Sequence, residues 1–316
     1  MGLYYGSMLG RAGESMHFLL RSDFEQVRRD GVKVLSPHGN FNFRPRCARD
    51  SAAIGPVDLV LVTLKTTANS AIDELVSSLV GAHTVVLTLQ NGLGNEAVLA
   101  ARFGAERVMG ALCFVCLNRT APGVVQHIDH GRITLGEFER WPEPRTHEVA
   151  AMFRRAGVRV TVADRLERAR WEKLAWNIPF NGLGVAAAAG FASLQAGRVM
   201  EPPERTGATT DFLLADPQWR GVAEALMREV MVIAAARGLP LREDLVSHLI
   251  DHTSTMGAYK PSTLLDFEMG RELEVDALFV QPWKVASDLR IPSPWLDRLV
   301  SVLRSMQGLD PGLERP

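Results

Sequence analysis

An α/β domain followed by an all-helical one is the architecture this 316-residue sequence predicts, on three observations. Short apolar runs alternate with amphipathic stretches from residue 15 to about residue 163. Strand patterning then stops, with no convincing strand beyond residue 165. Helical segments with clear start and stop residues fill the remainder, so the boundary is expected near residues 163–168. At about 100–200 residues per domain the length fits two.

Met1-Gly2-Leu3-Tyr4-Tyr5-Gly6 reads as the middle of a structural element, a helix running to Arg11-Ala12-Gly13, with Met16–Leu20 as a strand after it. Val32–Ser36 and Asn40–Arg44 flank the turn-like Pro37-His38-Gly39. Val57–Leu64 is a nearly continuous apolar run, as in a strand covered on both faces of a parallel sheet. Thr66–Val80 reads as a helix with Ile72, Leu75, Val76 and Leu79 on one face. Strands at Thr84–Leu89 and Val108–Val115 enclose a helix at Asn95–Phe103. Val124–His130 and Arg132–Phe138 read as an antiparallel pair turning at His130-Gly131, with His127 and His130 as edge or turn residues. A helix at His147–Ala156 and a strand at Val158–Val162 close the domain. In the second half, Asp216-Pro217 is a strong helix start and Gly238-Leu239-Pro240 a strong stop. Further helices are expected at Arg242–Met256, Glu274–Leu289 and Pro294–Met306.

Composition narrows the function. Lys and Arg total 35 against 36 Asp and Glu, so the chain has no overall field to attract nucleic acid or an anionic membrane. Three cysteines, Cys47, Cys113 and Cys116, are too few and too uneven for a disulfide scaffold, which suggests a reducing, cytoplasmic setting. Cys113-x-x-Cys116 falls on a strand, where residues three apart face opposite ways, and has no second pair; no metal site is expected. The start shows no basic and apolar leader pattern. The uncharged stretch Ala175–Gly197 is broken by Asn177, Pro179, Asn181 and Gln195 and does not read as transmembrane.

The segments that carry chemistry sit at strand ends and on one helix. A glycine opening a helix that leads into a second strand matches the end of a G-x-G-x-x-G turn in a Rossmann unit, with Gly2 as its last glycine. Arg21 and Ser22 end that strand, where a guanidinium and a hydroxyl favour the 2′-phosphate of NADP, although Asp23 stands close by. Leu64-Lys65-Thr66 and Gln90-Asn91-Gly92 lie at the carboxyl ends of parallel strands, the edge where such sheets bind ligands. Lys173, Asn177 and Asn181 are four apart, advancing about 40° per step, and form a polar stripe on an otherwise apolar helix. Taken singly these features have ordinary readings: a turn at Asn91-Gly92, a surface arginine at 21, a solvated helix edge, an N-cap at Ser262, a first-turn acid at Glu274.

Their order and spacing carry more. With Gly136-Glu137, and Ser262 twelve residues before Glu274, the chain resembles the ketopantoate reductase (2-dehydropantoate 2-reductase) family over nearly its whole length. The resemblance implies an NADP-binding Rossmann-like domain at 1–165 and a helical substrate and catalytic domain at 166–316. It implies NADPH-dependent reduction of 2-dehydropantoate to pantoate, in pantothenate biosynthesis. Lys173 and Glu274 would be catalytic, Asn177, Asn181 and Ser262 would bind the substrate, and Gly2, Arg21, Lys65 and Asn91 would bind NADP(H). A homodimer is one open assembly state.

Two features depart from that pattern. The family's first strand and glycine turn precede the position of Gly2 and are missing, which should open a slot between Met16–Leu20 and Val57–Leu64. Residues between the stripe and Thr209, including Ala186–Ala189 and Glu201-Pro202-Pro203-Glu204-Arg205, read as an inserted loop. Two alternatives stay open: a reductase for another 2-keto acid, and a catalytically impaired, truncated homologue kept for binding.

Overall fold

The computed structural model describes residues 1–309, which form two compact units, Met1–Asn91 with Asn95–Leu166, and Gly92–Gly94 with Glu167 onward. In the first, helix α1 (Gly2–Arg11) leads to β1 (His17–Leu19), α2 (Phe24–Asp30), β2 (Val32–Leu35), β3 (Phe41–Phe43) and β4 (Arg46–Ala48). Next come β5 (Leu59–Val62), α3 (Ile72–Val76), β6 (Val85–Thr88), α4 (Asn95–Phe103), β7 (Val108–Ala121), β8 (Val124–Glu137), α5 (Pro144–Arg155) and β9 (Val160–Val162). Strands β5, β6 and β7 run parallel, and β7 then pairs antiparallel with β8. The outer edge of β8 carries β2 along its first part and β9 along its last, both parallel to it, and β3 closes the sheet beyond β2. β1 pairs with β4 in a separate two-stranded sheet. β1 and β5 do not pair with each other and belong to separate sheets.

The differences from the sequence reading have local causes. Thr66–Val80 is not one helix: only Ile72–Val76 is α-helical, flanked by 3₁₀ turns at Thr66–Ala71 and Ser77–Leu79. Thr66, Thr67, Asn69 and Ser70 are β-branched or short polar residues that disfavour a helix, and Asn69 spends its carboxamide on tertiary bonds. His130-Gly131 is not a turn. Both have positive φ, 66° and 113°, and form a bulge inside the fourteen-residue β8, where Phe114 faces Arg132 and Val115 faces His130. The chain reverses instead at Pro122-Gly123, with Gly123 at φ 70°. His127 is accordingly no edge residue but only 2% exposed. Two elements, α2 and β4, are too short to leave a period in the sequence.

The second unit is helical throughout its described residues. It comprises α6 (Leu166–Ala186), α7 (Phe191–Ala196), α8 (Thr210–Ala215), α9 (Pro217–Ala236), α10 (Leu245–Ser254), α11 (Ser262–Glu268), α12 (Gln281–Asp288) and α13 (Pro294–Met306). At the start of α9 the Asp216 carboxylate accepts from Gln218 N and Trp219 N at 2.8 and 3.2 Å, which satisfies two otherwise orphaned donors. Residues 186–207 are more than a loop. Leu194 on α7 is fully buried and Phe191 meets Trp219 edge-on at 5.1 Å, so α7 packs into the core, whereas residues 201–205 are the exposed loop expected there. Glu274–Leu289 is not one regular helix, because Asp276–Val280 winds as a π-helix before α12. Pro282 explains this: it has no N–H to return to the carbonyl of residue 278, and its ring crowds that carbonyl. Among the described residues no helix is long and apolar enough to cross a membrane.

Two buried polar groups tie the first unit together. Glu137, at the end of β8 and 1% exposed, accepts from Arg145 Nε and Nη2 at 3.1 and 2.5 Å, Thr146 Oγ1 at 2.6 Å and Arg140 Nη2 at 3.4 Å. His127 Nδ1 lies 2.9 Å from Ser36 Oγ and 3.3 Å from Tyr4 Oη, and its Nε2 is 3.1 Å from the Asp129 carbonyl. The carbonyl requires Nε2 to carry a proton, and burial, which disfavours the charged ring, leaves Nδ1 to accept from Ser36 Oγ.

Each group yields a test. Glu137→Ala removes the buried carboxylate that Arg140, Arg145 and Thr146 bond, while Glu143 still pairs both arginines, and should cost about 1–3 kcal/mol in urea unfolding. Burial holds the His127 pKa below its ordinary value. The unfolded chain then takes up this proton first as pH falls below about 6.5, and stability drops until the folded ring also titrates. His127→Gln should flatten that part of the profile of unfolding midpoint against pH.

Candidate active site

In the first unit the singled-out residues lie at helix and strand ends. Gly2 is the first residue of α1, and a Cβ placed there would lie 2.5 Å from Thr63 Oγ1, just beyond β5. A side chain at this position would have to displace the Thr63 hydroxyl, so glycine suits a helix that starts this close to the strand. Arg21 follows β1 and is exposed, and its guanidinium has no hydrogen bond or ion pair among the described residues. The neighbouring Asp23 is 6% exposed and bound to Arg119, Ser22 Oγ and Gly123 N, so its charge is turned inward. Lys65 is exposed at the foot of the 3₁₀ turn after β5, and Asn91 is half-buried after β6.

The ends of β5 and β6 are held by a chain of carboxamides that the sequence reading missed. Thr88 Oγ1 donates to Gln90 Oε1 at 3.0 Å, and Gln90 Nε2 donates to Asn69 Oδ1 at 2.7 Å. Asn69 Nδ2 passes on to Asn95 Oδ1 at 3.2 Å, and Asn95 Nδ2 to the Asn91 carbonyl at 2.8 Å. The chain fixes the backbone of Asn91 and ties the loop after Lys65 to it. Polar residues clustered at both strand ends were the available signal, but their pairing is tertiary.

In the second unit, Lys173, Asn177 and Asn181 occupy successive turns of α6, with Lys173 half-buried and the asparagines 6% and 3% exposed. Asn181 Nδ2 reaches Asn177 Oδ1 at 3.5 Å. Asn181 Oδ1 accepts from Thr263 N at 3.0 Å and Ser262 Oγ at 3.3 Å. The N-cap residue of α11 is Pro261, which has no side-chain acceptor to offer, so Asn181 satisfies the amide of α11's second residue from another helix. Asn177, Asn181 and Ser262 are thus one bonded group, and Ser262 is not itself the cap. Glu274 is half-buried just ahead of the π-helix, and its carbonyl accepts from Leu278 N at 3.3 Å. Gly92, at φ 87°, folds with this unit. Its Cβ would sit 2.4 Å from the Ala277 carbonyl oxygen, to which Leu93 N donates at 2.9 Å. The glycine after Asn91 therefore serves a close approach to protein backbone.

An α/β unit with a parallel β5-β6-β7 core, joined to a helical unit with a polar stripe on α6, defines the class: a Rossmann-type protein with a helical second unit. The chain belongs to the ketopantoate reductase family. The family model described as ketopantoate reductase PanE/ApbA matches residues 1–140, and its C-terminal counterpart matches 205–307. A 2-dehydropantoate 2-reductase from Nostoc sp. is 34% identical over 98% of this chain and 92% of its own. The crystal structure of 2-dehydropantoate 2-reductase from Geobacter metallireducens is 44% identical, covers 96% of both chains and superposes with a TM-score of 0.87. A dimeric ketopantoate reductase from Staphylococcus aureus, 18% identical over 88% of this chain and 87% of its own, shares the fold with a TM-score of 0.69.

The bonded group on α6 predicts a graded response. Asn181→Ala strands the buried Thr263 N–H and should destabilise by about 1–3 kcal/mol. Asn181→Asp, which keeps the acceptor, should recover most of that in thermal unfolding.

Proposed function

We propose that the protein reduces 2-dehydropantoate to pantoate with NADPH, the step that supplies pantoate to pantothenate synthesis. Family membership together with the Lys173, Asn177 and Asn181 stripe and the Ser262 hydroxyl bonded to it carries this reading. The first unit suits the phosphorylated cofactor. Arg21 is exposed and without a side-chain partner among the described residues, Ser22 adds a hydroxyl, and the competing carboxylate of Asp23 is turned inward. With Gly2, Lys65 and Asn91, these residues would hold NADPH, which supplies the hydride delivered to C2 of the keto acid.

The chain's own residues do the rest. Hydride arrival builds negative charge on the carbonyl oxygen, and the Lys173 ammonium stabilises that charge and gives the proton that completes the hydroxyl. Glu274 favours the charged lysine and bonds the developing hydroxyl. Asn177, Asn181 and Ser262 offer donors and acceptors to the carboxylate and hydroxyl of the substrate. Because these side chains are already bonded to one another, little ordering is left for substrate binding to cost. We place the enzyme in the cytoplasm, in keeping with three free cysteines, and propose a homodimer by analogy with the Staphylococcus aureus relative.

NADPH consumption with 2-dehydropantoate and a panel of other 2-keto acids tests the reading, and preference for another acid would reassign the substrate. Lys173→Ala should lower kcat by about a hundredfold or more. Arg21→Ala should raise the KM for NADPH by about tenfold or more with kcat kept, the size of one lost charged hydrogen bond.

A further inference from the structure

An aspartate two residues beyond Arg21 would ordinarily argue against NADPH. In dinucleotide folds a carboxylate at the end of the second strand accepts the ribose 2′-hydroxyl, and the same charge repels a 2′-phosphate. Asp23 occupies the N-cap position of α2, where such a side chain normally accepts from the helix's own amides. Asp216 does so on α9, but Asp23 makes no capping bond. Its carboxylate instead points to the turn between β7 and β8. There it is ion-paired with Arg119 Nη2, accepts from Ser22 Oγ at 3.3 Å, and lies 3.4 Å from Gly123 N. Arg119, at the far end of β7, also reaches Ser22 Oγ at 3.5 Å. A carboxylate 6% exposed that gives up its helix cap for a cation 96 residues away is held in place by that cation.

We propose that Arg119 determines cofactor specificity as a positioning residue. By holding the Asp23 carboxylate against the β7–β8 turn, it keeps that charge off the position where Arg21 and Ser22 receive a 2′-phosphate. Without Arg119 the carboxylate would be buried and unpaired. It would swing out to solvent or to its own cap, beside Arg21, where it neutralises the guanidinium and offers an acceptor to an unphosphorylated ribose. The inference rests on the reading of Arg21 as the 2′-phosphate residue.

The test is calorimetric binding of adenosine 2′,5′-bisphosphate and adenosine 5′-monophosphate to the full chain. The unaltered protein should bind the bisphosphate about tenfold tighter or more. No such preference would overturn the reading of Arg21 and the inference with it. Given the preference, Arg119→Ala should weaken bisphosphate binding by about tenfold while leaving the monophosphate as tight or tighter. Removing the freed charge in Arg119→Ala/Asp23→Ala should restore bisphosphate binding to within about threefold, because the harm comes from the carboxylate. An unchanged preference in Arg119→Ala overturns the inference alone. So does failure of the double variant to restore binding, since Arg119 would then touch the phosphate itself or merely support the fold. Should Arg119→Ala not fold, Asp23→Asn decides: unchanged or tighter bisphosphate binding supports the inference, and weaker binding overturns it. Steady-state kinetics should show the same pattern in the KM for NADPH against NADH, with kcat unmoved.

Discussion

The antiparallel ladder between β7 and β8 is the constraint on which the first unit depends. Fourteen residues on each side make it far longer than the other strands of three or four, and its three special points each anchor something different. Its turn receives Asp23 through Arg119 and Gly123. Its inward face before the bulge at His130-Gly131 carries His127, which meets Ser36 and Tyr4. Its end presents Glu137 to two arginines and a threonine of the following segment. Polar groups buried at these points cost free energy unless paired, so each point fixes the register of a neighbouring element as well as its own. β1 and β4, in their separate two-stranded sheet, join this frame through α1 and α2, and Asp23 is where α2 meets the ladder.

The second unit has a comparable fixed point in Asn181. One carboxamide bonds Asn177 on its own helix, the backbone at the start of α11 and the Ser262 hydroxyl. A side chain that holds a helix terminus has its rotamer set by the fold. That pre-organises the polar stripe, because ordering entropy is met on folding.

The fold was legible wherever a period ran long enough. Asn95–Phe103 and Pro294–Met306 form helices over the limits their patterns predict, and Asp216 caps α9 as the Asp-Pro pair suggests. The failures share a physical character. α2 and β4 are too short for periodicity, and the helix expected after Lys65 gives way where Asn69 finds a better partner in Gln90. The π-helix arises from one proline acting four residues back. The stripe on α6 was readable as spacing, but no spacing could reveal that Asn181 caps α11, since the two are 81 residues or more apart. For the same reason the chain through Gln90, Asn69 and Asn95 stayed hidden: each carboxamide alone looks like a turn residue.

Asp23 illustrates the limit best. Read by position along the chain, an acid beside Arg21 weakens the case for a phosphorylated cofactor. Read in three dimensions, the same acid no longer weighs against the proposed reading, because its carboxylate is bound to Arg119, Ser22 and Gly123. A charge near a site acts through where it points and what pairs it. At about 4 Å a unit charge exerts about 4 kcal/mol at an effective dielectric constant near 20, and a few ångströms of rotation behind a neutralising guanidinium remove most of that. On the proposed reading, cofactor preference in this unit would depend on residues that touch the nucleotide and also on those that hold an unwanted charge away from it.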